Sequence, residues 1–199
     1  MTPEDEVEIV KLMRKSRESS RGYADFFLWA INRDLEEFGV VTQLNESLAI
    51  DQKVIFTNLT SRGRPNDPPD CEALNHQQER IAIEVTELVD GEAIHKFKKA
   101  EREGIPTDWA SWTKDKFLKE VQARITAKDN RFHELKGAPY PGGYIVVIHS
   151  DEMELARETV SNYLTEHQFS ACNINRIFVL LSYDPQVGNC PYFELRLNG

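Results

Sequence analysis

The chain is short of the residues that most often declare a function by themselves. Its three cysteines, Cys71, Cys172 and Cys190, stand apart with no CxxC pair. That spacing excludes a disulfide framework or zinc knuckle and makes a reducing cytoplasm the expected compartment. No apolar run is long. Tyr144 to Ile148 and Ile177 to Leu181 fall far below the ~20 residues of a spanning helix, so no membrane partner is expected. The first residues are acidic, with no basic stretch leading into an apolar one, and no secretory signal is expected. There is no internal repeat, no glycine-rich loop with phosphate-binding spacing, and no serine or cysteine in a nucleophile-elbow setting. His76, His95, His133, His149 and His167 show no HxxxH or HxH spacing and so nominate no zinc site.

Positive charge is scarce as well. The formal net charge is −9, whereas proteins that coat nucleic acid without specificity are usually basic. The average hides an asymmetry, because the stretch from His95 to Lys136 holds eleven Lys/Arg against seven Asp/Glu. A basic segment on an acidic body permits a local polyanion contact. The acidic N-terminal segment reads as a solvated face or a homodimer contact.

What is present is enough apolar material for a core, 40% of the 199 residues, and the whole of 1–199 is expected to form one domain. Residues 3–38 carry a near-3.6 apolar period, with Gly39 as the natural stop. Val40 to Leu48 and Lys53 to Leu59 have strand composition and are expected to pair across Asp51-Gln52. A turn-rich loop, Ser61 to Pro69, precedes strands at Asp70–Leu74 and Arg80–Leu88, joined by the polar Asn75 to Glu79 as a hairpin. Then follow a helix over 113–135, a strand over 144–149, a helix over 152–168, and strands over 176–183 and 192–197. Early strands in hairpins and later ones separated by helices give an α/β fold with a mixed sheet flanked by helices.

Three residues stand out within that frame. On the second hairpin strand Ile81, Ile83 and Val85 form one apolar face, which puts Glu84 on the other with Ala82, Thr86 and Leu88. A carboxylate in mid-strand is costly unless it is paired or holds a cation. Asp70 on the adjacent strand is placed to approach it. With the backbone carbonyl of Val85, the two carboxylates would make an all-oxygen site suited to Mg²⁺ or Mn²⁺. On the helix that follows, stepping by three and four from Leu118 gives 121, 125, 128 and 132, so Lys128 lies where the helix turns inward. Arg124 and Arg131, within a turn of it, are placed to meet phosphate. Trp109 and Trp112 flank this basic helix and suit either base stacking or core packing, with packing favoured.

The Pro69-Asp70 pair, then Glu84-x-Thr86 on an apolar strand, then a helix and a further strand, resembles the PD-(D/E)xK phosphodiesterases, the restriction-endonuclease-like superfamily. The resemblance implies an αβββαβ core from about residue 18 to 149 with a C-terminal α-β-β extension. It also implies a metal-dependent nuclease with Asp70 and Glu84 as metal ligands, acting on nucleic acid, with DNA favoured over RNA. Where the family pattern has its lysine this chain has Thr86, and Lys128 resembles the variant in which that lysine moves to the following helix. The family often adds an acid on the first helix, for which Glu18 and Asp25 are both placed. The other class that fits is a catalytically inactive fold of this kind acting as an interaction module, which Thr86 and the acidic charge favour. Removal of Lys128 is expected to cost activity and to cost folding little.

Overall fold

The computed structural model describes residues 33–91 and 112–198, with scattered positions between them. The chain divides into two compact units, Met1–Arg33 with Asp90–Ala110, and Asp34–Val89 with Ser111–Gly199. The second unit holds the elements described below, save Arg33 at the start of the first helix. Glu18, Asp25, His95, Trp109 and most of the 3–38 segment lie outside the described residues.

The chain is α/β. Helix α1 (Arg33–Ile50) leads into strands β1 (Thr57–Ser61), β2 (Cys71–Leu74) and β3 (Arg80–Glu87). Helix α2 (Lys114–Asn130) and a 3-10 turn (Phe132–Glu134) come before β4 (Gly143–Ser150). Helix α3 (Arg157–Leu164), β5 (Phe169–Ser170), β6 (Arg176–Leu181), β7 (Tyr192–Glu194) and β8 (Leu197–Asn198) complete the order. Six strands make one mixed sheet in the order β1-β2-β3-β4-β6-β7, while β5 and β8 pair separately. The β1-β2-β3 half is antiparallel, β3-β4-β6 is parallel, and β7 returns antiparallel on β6.

Alternation along the central strands loads both faces of the sheet. Ile81, Ile83, Val85, Ile145 and Val147 are buried together with Val41, Leu44 and Leu48 of α1. Ala82, Tyr144, Val146 and Ile148 share the other core with Phe117, Val121 and Ile125 of α2 and Val160 of α3. Each fully buried aliphatic side chain contributes about 1.5–3 kcal/mol, so β3 and β4, buried on both faces, form the centre of the core. Helix α2 begins where the Thr113 hydroxyl accepts from the Lys116 N–H at 3.3 Å, and Asp115 sits in its first turn. Among the described residues no helix is long and apolar enough to cross a membrane.

The strand expected over Val40–Leu48 is helix instead, and Gly39 lies inside it. The β-branched run Val40-Val41-Thr42 has strand composition, yet Val41, Leu44 and Leu48 recur at three and four residues and bury one helical face. The following strand is shorter and later than expected, Thr57–Ser61, so no hairpin turns at Asp51-Gln52. The last strand, expected over 192–197, breaks into β7 and β8, because Phe169 N–H bonds Arg196 O (2.8 Å) and draws the chain off to β5. The helix expected over 152–168 keeps only Arg157–Leu164.

Gly39 has nothing within 4 Å of the position a Cβ would take, and it does not have a positive φ. Gly39→Ala is therefore expected to raise stability by about 0.5–1 kcal/mol in urea unfolding, as for a solvent-side helix interior. A loss of stability would contradict the open helical setting of Gly39.

Candidate metal centre

Strand pairing brings the expected carboxylates together. Cys71 pairs with Ile83 at the last rung of β2 on β3, so Asp70 stands one step further, opposite Glu84. Both are buried, at 4% and 2% exposure. Beyond that rung the ladder is closed by a side chain, for Val85 N–H donates to Asp70 Oδ2 at 2.7 Å. On β3 the even residues face β4, as Leu88 N–H does toward His149 O at 2.7 Å. The C=O of Val85 leaves on the side of its own N–H, toward Asp70, where β2 has ended.

Glu84 is held at both oxygens. Lys128 Nζ donates to Oε1 at 2.8 Å, with the lysine side chain 11% exposed, and the Tyr144 hydroxyl donates to Oε2. Tyr144 lies in register with Ala82, one even-face position before Glu84. Burial first, and then the Glu84 charge, push the Tyr144 phenol pKa up, so it remains a donor at any ordinary pH. Sequence reasoning passed over Tyr144 because strand alternation gives the face of a ring but not where its hydroxyl ends.

The second missed residue is Asp67. Asp67, Asp70 and Glu84 each offer an oxygen, all within 4.8 Å of one another, and so could hold a metal ion. Asp67 comes from the turn-rich loop, where nothing in its local pattern marked it as facing inward. The loop is fixed from outside. Lys136 Nζ donates to Pro65 O at 3.0 Å and to Asp67 O, Lys136 N–H donates to Pro68 O at 2.8 Å, and Arg62 N–H donates to Asp70 O at 2.9 Å. Arg62 is itself tied to Glu72, two residues beyond Asp70 on the same face, which also accepts from Arg80 (2.8 Å) and the Tyr140 hydroxyl (2.7 Å).

The donor set suits a hard divalent cation, since carboxylate and carbonyl oxygens are what Mg²⁺ and Mn²⁺ prefer. One atom supports the fit directly: Asp70 Oδ1 is buried and accepts no hydrogen bond. A buried, unpartnered carboxylate oxygen carries its full desolvation cost. Among the described residues, the three carboxylates have one ammonium bonded to a carboxylate oxygen, that of Lys128 on Glu84. Burial chiefly, with the charges of Glu37 and Glu84 adding and Lys128 and the Val85 N–H opposing, pushes the Asp70 pKa up to about 7. Glu37, on α1, is the first-helix carboxylate whose charge reaches Asp70 among the described residues.

The other expected residues fall in different places. Thr86 is half-buried on the Glu84 face, two residues on. Arg124 is spent on the end of β3, donating to Glu87 O (3.1 Å) and pairing with Glu120, so it is not a free phosphate contact. Arg131 is exposed at the end of α2. Its guanidinium pKa is raised first by Glu134, at 2.7 Å, with Glu84 and Asp67 contributing in turn. Trp112 is buried against Phe117 as a core residue. Lys128 is as much a structural element as a chemical one. Breaking a buried pair by removing one partner typically costs about 3–5 kcal/mol, so its removal is not the mild change the sequence suggests.

The class defined by fold and site is thus an α/β protein with a carboxylate cluster, Asp70 and Glu84 buried and Asp67 half-buried, at the edge of its central strands. No family model, curated protein or solved structure matches the chain.

Asp70 makes the stability of the metal-free protein depend on pH. Its carboxyl holds a proton more tightly folded (about 7) than unfolded (3.8), so the folded state binds more protons between those values. Stability from this group is complete below about pH 4 and is lost as pH rises through about 7. Chelated protein is expected to weaken over that window in urea titrations at a series of pH values. Asp70→Asn should flatten that part of the curve and exceed the unmodified protein in stability at alkaline pH. An unchanged slope would show that Asp70 is not the group responsible.

Proposed function

We propose that the protein is a metal-dependent phosphodiesterase of the restriction-endonuclease-like kind, hydrolysing nucleic acid and favouring DNA over RNA. The observation that carries this reading is a buried carboxylate oxygen without a partner, Asp70 Oδ1, beside a carboxylate already paired with an inward lysine. Structural ion pairs do not ordinarily leave such an oxygen bare, whereas a cation site does. The element order α1-β1-β2-β3-α2-β4 supports the αβββαβ reading, with Asp70 immediately before β2, Glu84 within β3 and the lysine supplied by α2.

Asp70, Asp67, Glu84 and the Val85 carbonyl would hold the ion. When bound, a divalent ion of this class supplies polarisation of the phosphodiester and a lowered pKa for water. The chain's own part is positional and electrostatic. Tyr144 fixes the rotation of the Glu84 carboxylate, and the clamped 62–70 loop fixes Asp67 and Asp70. Lys128 keeps a preorganised positive charge beside the reacting phosphate, in a site from which bulk water is largely excluded. Its role replaces that of the lysine which the resemblance places at position 86.

Cleavage of plasmid and oligonucleotide DNA is the test. Mg²⁺ or Mn²⁺ should support hydrolysis and chelation should abolish it. Lys128→Ala should lower the rate about a hundredfold or more, compared below the melting temperature of the variant. Adding Thr86→Lys to that variant should recover part of the loss. The inactive-module reading also has an observation in its favour, since Lys128 and Tyr144 together satisfy both Glu84 oxygens. A divalent ion that binds without cleavage of any DNA or RNA would decide for it.

A further inference from the structure

Helix α2 ends at Arg131, whose backbone (φ −95, ψ 6) leaves the helical path and turns the chain into the 3-10 segment Phe132–Glu134. Arg131, Phe132 and His133 are consecutive and exposed as a result. Phe132, 40% exposed, is also the next position of the α2 stripe after Lys128. A single exposed phenylalanine is ordinary on a protein surface. This one is not placed at random. One part of its ring rests on Tyr144, with centroids 5.8 Å apart at 41°, and the Tyr144 hydroxyl is bonded to Glu84. Part of an aromatic side chain is therefore exposed to solvent one ring away from the carboxylate cluster. The neighbouring Arg131 guanidinium feels the charges of Glu84 and Asp67. Its pair with Glu134 at 2.7 Å is solvent-exposed on both sides (52% and 42%), so unlike the Arg124 pair it can open to a phosphate.

Resting on the phosphodiesterase reading, we infer that Phe132 and Arg131 form a lip that seats an unpaired base of the substrate, so that single-stranded DNA is the preferred substrate class. A ring that stacks one face of a base together with a cation on the adjoining phosphate is the usual grip on single strands, and it tolerates any base. Inside a duplex both faces of a base are covered by its neighbours, and Phe132 would meet only backbone. Phe117 on this helix and Trp112 just before it offer no such face, because both are buried.

The experiment is fluorescence anisotropy with labelled oligothymidylate, the same strand annealed to its complement, and a strand of abasic nucleotides, with Ca²⁺ as the supporting ion. Phe132→Ala should weaken binding of oligothymidylate about tenfold, and Phe132→Trp should retain it, since stacking on one aromatic is worth about that much. The abasic strand should bind the unmodified and Phe132→Ala proteins alike, and the duplex should bind more weakly than the single strand. Phe132→Ala should stay folded at the assay temperature in thermal melting, and its Mn²⁺ binding, measured without DNA, should match that of the unmodified protein. Equal affinity of Phe132→Ala for oligothymidylate, or an equal loss on the abasic strand, would overturn the lip while leaving the phosphodiesterase reading intact. Retained Mn²⁺ binding with no affinity for any strand would overturn both.

Discussion

Asp70 and Glu84 lie side by side at 4% and 2% exposure, and the ammonium of Lys128 is in direct contact with Glu84. Burying an ion costs several kcal/mol even after relaxation, and a carboxylate is tolerated inside only when charge and hydrogen bonds compensate it. Glu84 is fully compensated, with one oxygen on Lys128 and the other on Tyr144. Asp70 is not, since one oxygen takes the Val85 N–H and the other takes nothing. The imbalance shows in the raised pKa of Asp70, which loses part of its proton only near pH 7. A divalent cation at this point is the simplest charge that would complete the set.

The fold is arranged so that this imbalance persists. Ending β2 at Cys71 leaves Val85 without a backbone partner there, and Asp70 fills the role with its side chain. The parallel pairing of β3 with β4 places Tyr144 and Glu84 on one face of a strand pair buried on both sides, which keeps both groups from relaxing toward water. Helix α2 is pinned to the same face by Phe117, Val121 and Ile125, and that register delivers Lys128. Glu72 with Arg62, and Lys136 with the carbonyls of the 62–70 loop, prevent Asp67 and Asp70 from swinging outward. Each of these contacts is structural by itself, and together they hold negative charge where it is unfavourable.

Much of the arrangement could be read from the chain because two periodicities carry it. The period of two along Ile81 to Leu88 separates Glu84 from its apolar neighbours, and the three-four stepping of α2 turns Lys128 inward; the pairing seen at 2.8 Å follows from both. Tyr144 and Asp67 were hidden for a different reason. Their positions depend on the reach of a long side chain and on a loop held by residues more than sixty positions away, such as Lys136 on Pro65 and Asp67. Local composition also misled over Val40 to Leu48, where β-branched residues lie on a helix because the tertiary core rewards the spacing of Val41, Leu44 and Leu48. Patterning conveys which face a residue takes, whereas long-range closure decides which atoms meet.

The central claim is that the bare Asp70 oxygen marks a cation site. Crystals of the protein soaked in Mn²⁺ and measured for anomalous scattering test it without reference to any substrate. The account predicts one strong peak about 2.1 Å from Asp70 Oδ1, with oxygens of Asp67 or Glu84 and the Val85 carbonyl completing the shell, and its absence in crystals of Asp70→Asn. No peak between these carboxylates at millimolar Mn²⁺ and alkaline pH, or a peak that survives Asp70→Asn unchanged, would contradict it.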